Sequence, residues 1–501
     1  MKRFCACLLS AALLLSLSAC GGEGEASSSD SSVDTSQEEV RESETATLTL
    51  AFYPQQSLHP ALSANRANLT LAPLLYEGLF AVDGSFTAQP VLCESYTVSP
   101  DKLTWTFTLR GGVTFSDGTS LTGEVAAAAL ELARGEGSRY SGRLSHVTSI
   151  TAGEGTVTVT LDEPNGSLPL LLDIPLALGA GERPVGTGPY LLSENGEEAE
   201  LTARENWWQA RQMPADTISL KIMNKSDEMI FAFDAGDISL VEVDLMGTNS
   251  LGYSGSYETW DYSTTSMIYL GFHTRAGLCQ SAEVRKALGR GVDRESIARI
   301  TYATHAVPSA LPVHPDSPMY DRWIASQLSY DPEALVNELE ALGAAGRELV
   351  LLVNTENMAK ASAAQWIADQ LESAGMKVRV DNLPFEEYIS ALEAGRFDLY
   401  LGEVALTADF DLSALLASDG ALNYGRWQDE QTDQLLAALA AAPMDSREEA
   451  ASALYAYLGQ RVPLVPVCFK NNSVLTKWGK LSGLSPVRGN LFYDLENWVI
   501  S

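Results

Sequence analysis

From Ser281 to Leu401 the hydrophobic period of this chain switches repeatedly between helical spacing and short extended runs, which narrows the class of fold more than any other feature. Residues 282–288 (A-E-V-R-K-A-L) and 293–300 read as amphipathic helices. Asp331-Pro332-Glu333 opens a third, with aspartate at the N-cap and proline in the first turn, running to Leu342-Gly343. A strand follows at 348–353, a helix at 361–374, a strand at 377–380, a helix at 386–395 and an extended run at 398–401. Such alternation implies an α/β lobe.

The first half mixes the same ingredients differently. Residues 47–52 have a strand pattern, and an apolar helical stretch runs through Leu71, Leu74, Leu75 and Leu79. Residues 103–109 (L-T-W-T-F-T-L) and 156–161 alternate as a sheet with one buried face demands. Thr122 stands where an N-cap is needed for an alanine-rich helix over 124–132, and Gly186-Thr187-Gly188-Pro189-Tyr190 reads as a tight turn entering a strand at 190–192. No internal repeat of fixed period is present. The length, several times that of one domain, implies two or three lobes with a cleft between them.

The N-terminus says where the chain works. Met1-Lys2-Arg3, the apolar run 8–17 and Leu17-Ser18-Ala19-Cys20 have the order of a lipoprotein export signal over 1–19, with Cys20 as the lipidated first residue of the mature chain. Residues 20–46 are Gly/Ser/Glu/Asp-rich and are expected to be a disordered tether with a reach on the order of 30 Å. The folded body is then extracytoplasmic and anchored to the cell membrane through Cys20. No later stretch reaches the roughly eighteen apolar residues of a membrane span.

With 65 acidic against 33 basic residues and a formal net charge of −32, phosphate repulsion argues against a nucleic-acid partner. Cys93, Cys279 and Cys468 are widely spaced, with no C-x-x-C or Cys/His cluster, so neither a disulfide framework nor structural zinc is expected. Each reads as a small buried apolar residue. The five histidines are scattered, and His305 and His314 lie in proline-rich loop sequence. No metal site or cofactor is expected. There is no G-x-S-x-G elbow, H-E-x-x-H helix or phosphate-binding loop, and Ser99-Pro100-Asp101-Lys102 sits in a turn without the later Lys-Thr-Gly its chemistry needs. The chain is not expected to be an enzyme.

Several stretches taken in order resemble the extracytoplasmic solute-binding proteins of ABC importers, family 5, the peptide-binding lipoprotein class. They are Ser57-Leu58-His59-Pro60, Leu74-Leu75-Tyr76-Glu77-Gly78-Leu79, the 103–110 strand leading to Phe115-Ser116-Asp117-Gly118-Thr119, Gly186–Tyr190, Glu205-Asn206-Trp207-Trp208, Tyr269-Leu270-Gly271-Phe272, Val284–Leu288 with Val292-Asp293-Arg294, and Tyr330–Glu333. The resemblance implies a two-lobed α/β fold of the periplasmic-binding-protein type II, with a small extra inserted domain and a hinged interlobe cleft. By analogy, lobe I comprises 47–83, 186–265 and 480–501, the inserted domain 84–185 and lobe II 266–479. It further implies a monomer that captures a peptide or similar small solute by lobe closure and delivers it to ABC permease subunits. The other readings are a receptor for a sensing pathway, a binder of a metal chelate or sugar, and a cell-surface hydrolase.

The resemblance also nominates site residues. Asp409, followed by Phe410, matches an Ala-Asp-aromatic segment whose carboxylate receives a peptide ammonium, although Asp409 or Asp411 also suits the cap of a following helix. Relatives commonly carry a tryptophan just upstream, where this chain reads Leu401-Gly402-Glu403-Val404. The loop after His59-Pro60 points to Ala64, Asn65 and Arg66, the last for an anionic group. Ser266 and Met267 fall near the crossover between lobes, and Tyr53 and Tyr424 offer a ring and a hydroxyl.

Overall fold

The structure is a computed structural model that describes residues 47–501 except 197, 226, 249–251 and 254. The export signal, Cys20 and the tether lie outside the described residues.

One sheet is built from remote pieces of chain. Thr49–Phe52 pairs in parallel with Thr217–Ile222, which continues antiparallel to Glu198–Ala203 and Tyr190–Asn195. A second, fully antiparallel sheet runs Cys93–Val98, Thr104–Leu109, Thr156–Leu161, Val147–Gly153. The alternation read in the sequence is realised here: Trp105, Phe107 and Leu109 are buried with Val157 and Val159 under the helix Gly123–Arg134. The hydroxyls of Thr106 and Thr158 meet on the other face at 3.1 Å.

The third sheet has seven strands. Its main path is Leu240–Val243, Leu464–Lys477, Tyr257–Phe272, Leu399–Ala405, Glu348–Asn354, Lys377–Leu383, and Ala306–Pro308 pairs on the side with Leu464–Lys477. Glu348–Asn354 is parallel to both of its neighbours, as strands joined by helices must be. The two crossover helices cover opposite faces. Met358–Ser373 buries Ala363, Ile367 and Leu371 with Ile268, Leu270 and Leu401. Phe385–Glu393 buries Tyr388, Ala391 and Leu392 with Met267, Tyr269 and Tyr400.

Helix starts follow the side chains that cap them. Thr122 accepts from the Val125 amide (3.4 Å), Ser281 from Val284 (3.3 Å) and Asp331 from Ala334 (2.9 Å). The helix expected from 361 begins three residues earlier, because Asn357 accepts from the Lys360 amide at 2.9 Å. The stretch through Leu71–Leu79 is not one helix but two short ones, Arg66–Thr70 and Ala72–Leu75, since Pro73 has no N–H for the carbonyl four residues back. Residues 293–300 form one turn, Arg294–Ser296, that widens into the π-helical Ile297–Thr301. Cys93, Cys279 and Cys468 are free and buried, and burial pushes the Cys279 thiol up to about 12.

The remote motifs converge on one joint. The Trp207 indole donates to the Thr187 carbonyl (3.1 Å), the Gly188 amide to the Leu75 carbonyl (3.0 Å) and the Tyr76 hydroxyl to the Pro184 carbonyl (3.0 Å). Glu77 is buried there, its carboxyl raised by desolvation and held by the Trp208 indole and the Gln209 amide, each at 2.7 Å. A methyl group on Gly186 would lie 1.9 Å from the Leu75 carbonyl oxygen, so the turn requires glycine. Gly186→Ala is therefore expected to cost about 2 kcal/mol or more and lower the melting temperature, whereas Gly111→Ala, which meets nothing within 4 Å, leaves it unchanged.

Candidate functional site

The strands Tyr257–Phe272 and Leu464–Lys477 pair antiparallel along most of their length, but the register shifts between Ser263 and Met267. On one side of the shift Tyr262 and Val474 pack with Leu48, Leu50 and Phe52. On the other, Ile268, Leu270 and Val465 pack with the Met358–Ser373 helix. The pair thus passes from one hydrophobic core to another, and Thr264 bridges the gap in the ladder. Thr264 Oγ1 donates to the Lys470 carbonyl and Thr265 Oγ1 to the Leu406 carbonyl, both at 2.6 Å, while the Ser266 amide donates to Thr264 Oγ1 (3.0 Å).

Lys470 sits at this crossing, 4% exposed. Its Nζ donates to Asp244 Oδ2 (2.7 Å), just beyond Leu240–Val243, and to Glu403 Oε1 (2.9 Å), on Leu399–Ala405. Burial opposes its charge, but Glu403 and Asp244 outweigh that and raise its pKa. One ammonium between two carboxylates ties strands from both sides of the crossing, and removing either acid would leave a buried charge poorly compensated.

The predicted residues do not gather at this centre alone. Arg66 is exposed and, with Thr70, Glu242, Asp244 and Asn472, lines a small cavity of about 60 Å³. Asn65 caps the Arg66–Thr70 helix through the Asn68 amide (2.9 Å), and Ala64 is exposed beside it. Ser266 is half-buried in the register shift. Two residues face inward: Met267 is fully buried, and the Tyr53 hydroxyl donates to the Lys225 carbonyl at 3.2 Å. Tyr424, half-buried, meets the Tyr400 ring edge-on.

Asp409 and Phe410 stand elsewhere, where the 84–185 segment meets the seven-stranded sheet. Asp409 is 5% exposed, accepts from Thr407 Oγ1 and lies 3.5 Å from Ser167 Oγ. The Arg447 guanidinium donates to its carbonyl at 2.7 Å. The helix Ser413–Leu416 takes its first-turn bond from Asp411, not Asp409 (Ser413 amide to Asp411 Oδ1, 3.1 Å). Phe410 packs edge-on to Phe86 at 4.9 Å and to Phe469 at 5.8 Å; Phe410 and Phe86 have φ of 55° and 58°, a left-handed backbone rare for aromatics.

Two histidines at these joints respond to pH in opposite senses. His305 Nδ1 lies 2.8 Å from Asp261 Oδ2, and that hydrogen bond raises its pKa despite burial. His314 is fully buried between Phe86 and Phe469, and desolvation drops it to about 4. Its Nδ1 accepts from the Asp316 amide (3.1 Å), so the ring is neutral and the nearby Asp316 carboxylate forms no true ion pair with it.

Sequence reasoning missed Lys470, Asp244 and Lys360, and registered Glu403 only as a missing tryptophan. The available signal was a charged residue inside an otherwise apolar element, as in Leu399–Ala405 (L-Y-L-G-E-V-A) and the start of Leu464–Lys477 (L-V-P-V-C-F-K). A larger cavity of about 600 Å³, lined by Glu77, Trp208, Arg211, Arg488 and Tyr493, lies at the motif joint, where Arg211 is paired with Glu496 and Arg488 with Asp173. Among the described residues no group of three or more His, Cys, Asp or Glu is placed to hold a metal ion, and no helix is long and apolar enough to cross a membrane.

A two-lobed body with paired strands crossing between cores is the architecture of a binding protein. The family model for bacterial extracellular solute-binding proteins, family 5 (middle region), matches residues 87–421, and the chain belongs to that family. The glutathione-binding protein GsiB of Salmonella choleraesuis (strain SC-B67) is 24% identical over 416 residues, covering 76% of this chain and 80% of its own length. HbpA2 from Haemophilus parasuis superposes with a TM-score of 0.75 at 18% identity, covering 91% of this chain and 100% of the other. The periplasmic murein tripeptide-binding protein MppA, in its unliganded open form, gives 0.76 at 20% identity, covering 91% and 98%. The fold is the two-lobed α/β type II architecture.

The histidine pair sets a pH profile. Because the folded pKa of His305 lies above its ordinary value near 6.5, its contribution is complete below that value and is lost as pH rises through the folded one. Asp261→Asn should flatten the fall in melting temperature on the alkaline side. His314 does the reverse: stability is lost as pH drops from about 6.5 toward 4, where the unfolded chain takes the proton first.

Proposed function

We propose that this protein is the ligand-capturing component of an ABC importer, binding a peptide or similar small solute between its lobes and presenting the closed form to a membrane permease, without chemistry of its own. The observation that carries the reading is the strand pair that crosses between cores at an interrupted ladder. Two strands whose hydrogen bonds break at Thr264–Ser266 can bend there without unpairing elsewhere, which is what hinge closure needs. Family membership gives that hinge its use, since family 5 proteins bind small solutes or peptides and work with ABC permeases.

The proposed lobes are 47–83, 186–265 and 471–501 on one side and 266–470 on the other, with 84–185 as the inserted domain. Pairing of residues 471–477 with 257–263 favours a return crossing at Lys470. Arg66, with Ala64 and Asn65, and Ser266 are proposed ligand contacts. Asp409 and Phe410, bound to Thr407, Ser167 and Phe86, are proposed to brace the inserted domain against the second lobe. Glu403 in place of an aromatic wall favours a second reading, a polar non-peptide solute in the same cleft. Cys20 is proposed to carry the lipid that keeps the receptor at the membrane.

Thermal unfolding of the protein against glutathione, tripeptides, sugars and metal chelates tests this, because a ligand at a hundred times its Kd adds about 2.7 kcal/mol. A peptide is expected to raise the melting temperature; a panel in which no small solute does so defeats the proposal. Cys20→Ser should shift the protein from the membrane fraction to the soluble one.

A further inference from the structure

Where the strand Leu464–Lys477 begins, the helices Ala282–Arg290 and Arg447–Arg461 and residues 310–312 wall a cavity of about 50 Å³. It shares no lining residue with the Arg66 cavity. A water-sized group needs roughly 10–15 Å³, so the space suits an occupant of a few heavy atoms. Exposed Lys286 and Gln327 belong to its lining, so the cavity reaches the surface.

The charge of that lining is the reverse of the molecule's. Lys286, Arg290 and Arg294 line it and no Asp or Glu does, in a chain of formal net charge −32. Glu338, outside the cavity, takes the Arg290 guanidinium (3.1 Å). Arg294 is 8% exposed and has no carboxylate partner among the described residues: its Nε donates to the Pro466 carbonyl (2.8 Å), its Nη1 to the Leu328 carbonyl (3.0 Å), and its Nη2 has no hydrogen bond. Buried Arg285, by contrast, has all three nitrogens bonded to backbone carbonyls. Burial brings the Arg294 pKa down to about 10, with the Tyr320 phenol acting against that, so the group stays charged at neutral pH. Tyr455, also in the lining, is buried, and its hydroxyl has no hydrogen-bond partner among the described residues. A buried cation without an acid and a buried hydroxyl without an acceptor are two costs that one anion removes.

We propose that this cavity is a second binding site, for a short-chain carboxylate, in which Arg294 and the Tyr455 hydroxyl hold the oxygens and Leu311, Leu458 and Leu464 surround the apolar body. Lys286 stands at its mouth. The site is apart from the strand crossing and does not depend on the solute-receptor reading. Its occupant is not cargo but a stabiliser of the folded form by mass action, acting where Arg294 ties Leu328 to the strand that runs on to Lys470.

Ligand-observed NMR titration of the intact protein with sodium propionate and with propionamide, at fixed ionic strength, tests this. Propionate is expected to bind about tenfold tighter or more than the neutral amide. Equal affinities, or no binding of propionate, overturn the proposal, and so does chloride that competes as well as propionate. Tyr455→Phe removes only an unpartnered hydroxyl, so the unliganded protein is expected to keep its melting temperature while propionate affinity falls about tenfold. Unchanged affinity in that variant overturns the site. If Tyr455→Phe does not fold, Lys286→Glu at the exposed mouth decides: a severalfold loss for propionate with propionamide unaffected supports the site, and equal responses overturn it.

Discussion

Where Thr264 gives its hydroxyl to the Lys470 carbonyl, a β-ladder is interrupted without leaving that carbonyl unpaired, and much of the molecule is arranged around that exchange. A strand pair that serves two hydrophobic cores cannot keep one continuous register, because each core sets its own face for the side chains and a one-residue slip inverts them. The cost of breaking the ladder is the loss of backbone partners. Thr264 supplies a replacement from its own side chain, Thr265 ties the same stretch to Leu406, and Lys470 adds a charged link to Asp244 and Glu403. The crossing is thus held by side-chain bonds where the ladder of backbone bonds is interrupted.

The same logic explains what was legible in the sequence. Thr104–Leu109 and Thr156–Leu161 alternate cleanly because each has one buried face, and Asp331-Pro332 announces its helix because capping is a local bond. The break at Pro73 was written in the sequence as plainly, yet the apolar spacing of Leu71–Leu79 outweighed it in the reading. The candidate site was less legible. Asp409 matched a motif, but its partners, Ser167 and Thr407, include one more than two hundred positions away. Lys470 and Asp244 lie 226 positions apart, and no local pattern marks two charges that only the third sheet brings together.

With a formal net charge of −32 the surface is dominated by carboxylates, yet two of the most deeply buried charged side chains are lysines close to one another. Lys470 binds Asp244 and Glu403 directly, and Glu403 and Glu356 also act on the charge of Lys360. Overall charge is thus a poor guide to any one place: the long-range field is negative, while here two lysines sit among Asp244, Glu403 and Glu356.

The core that contains Leu48, Leu50 and Phe52 is completed by Leu481, Leu491, Phe492 and Trp498, and Thr49–Phe52 has its only parallel partner near residue 220. The earliest strand of the body therefore finds its pairing partner only once Ile222 has been made, and its core is complete only with Trp498. Contacts this far apart in sequence are slow to form, because the long loops between them must close first.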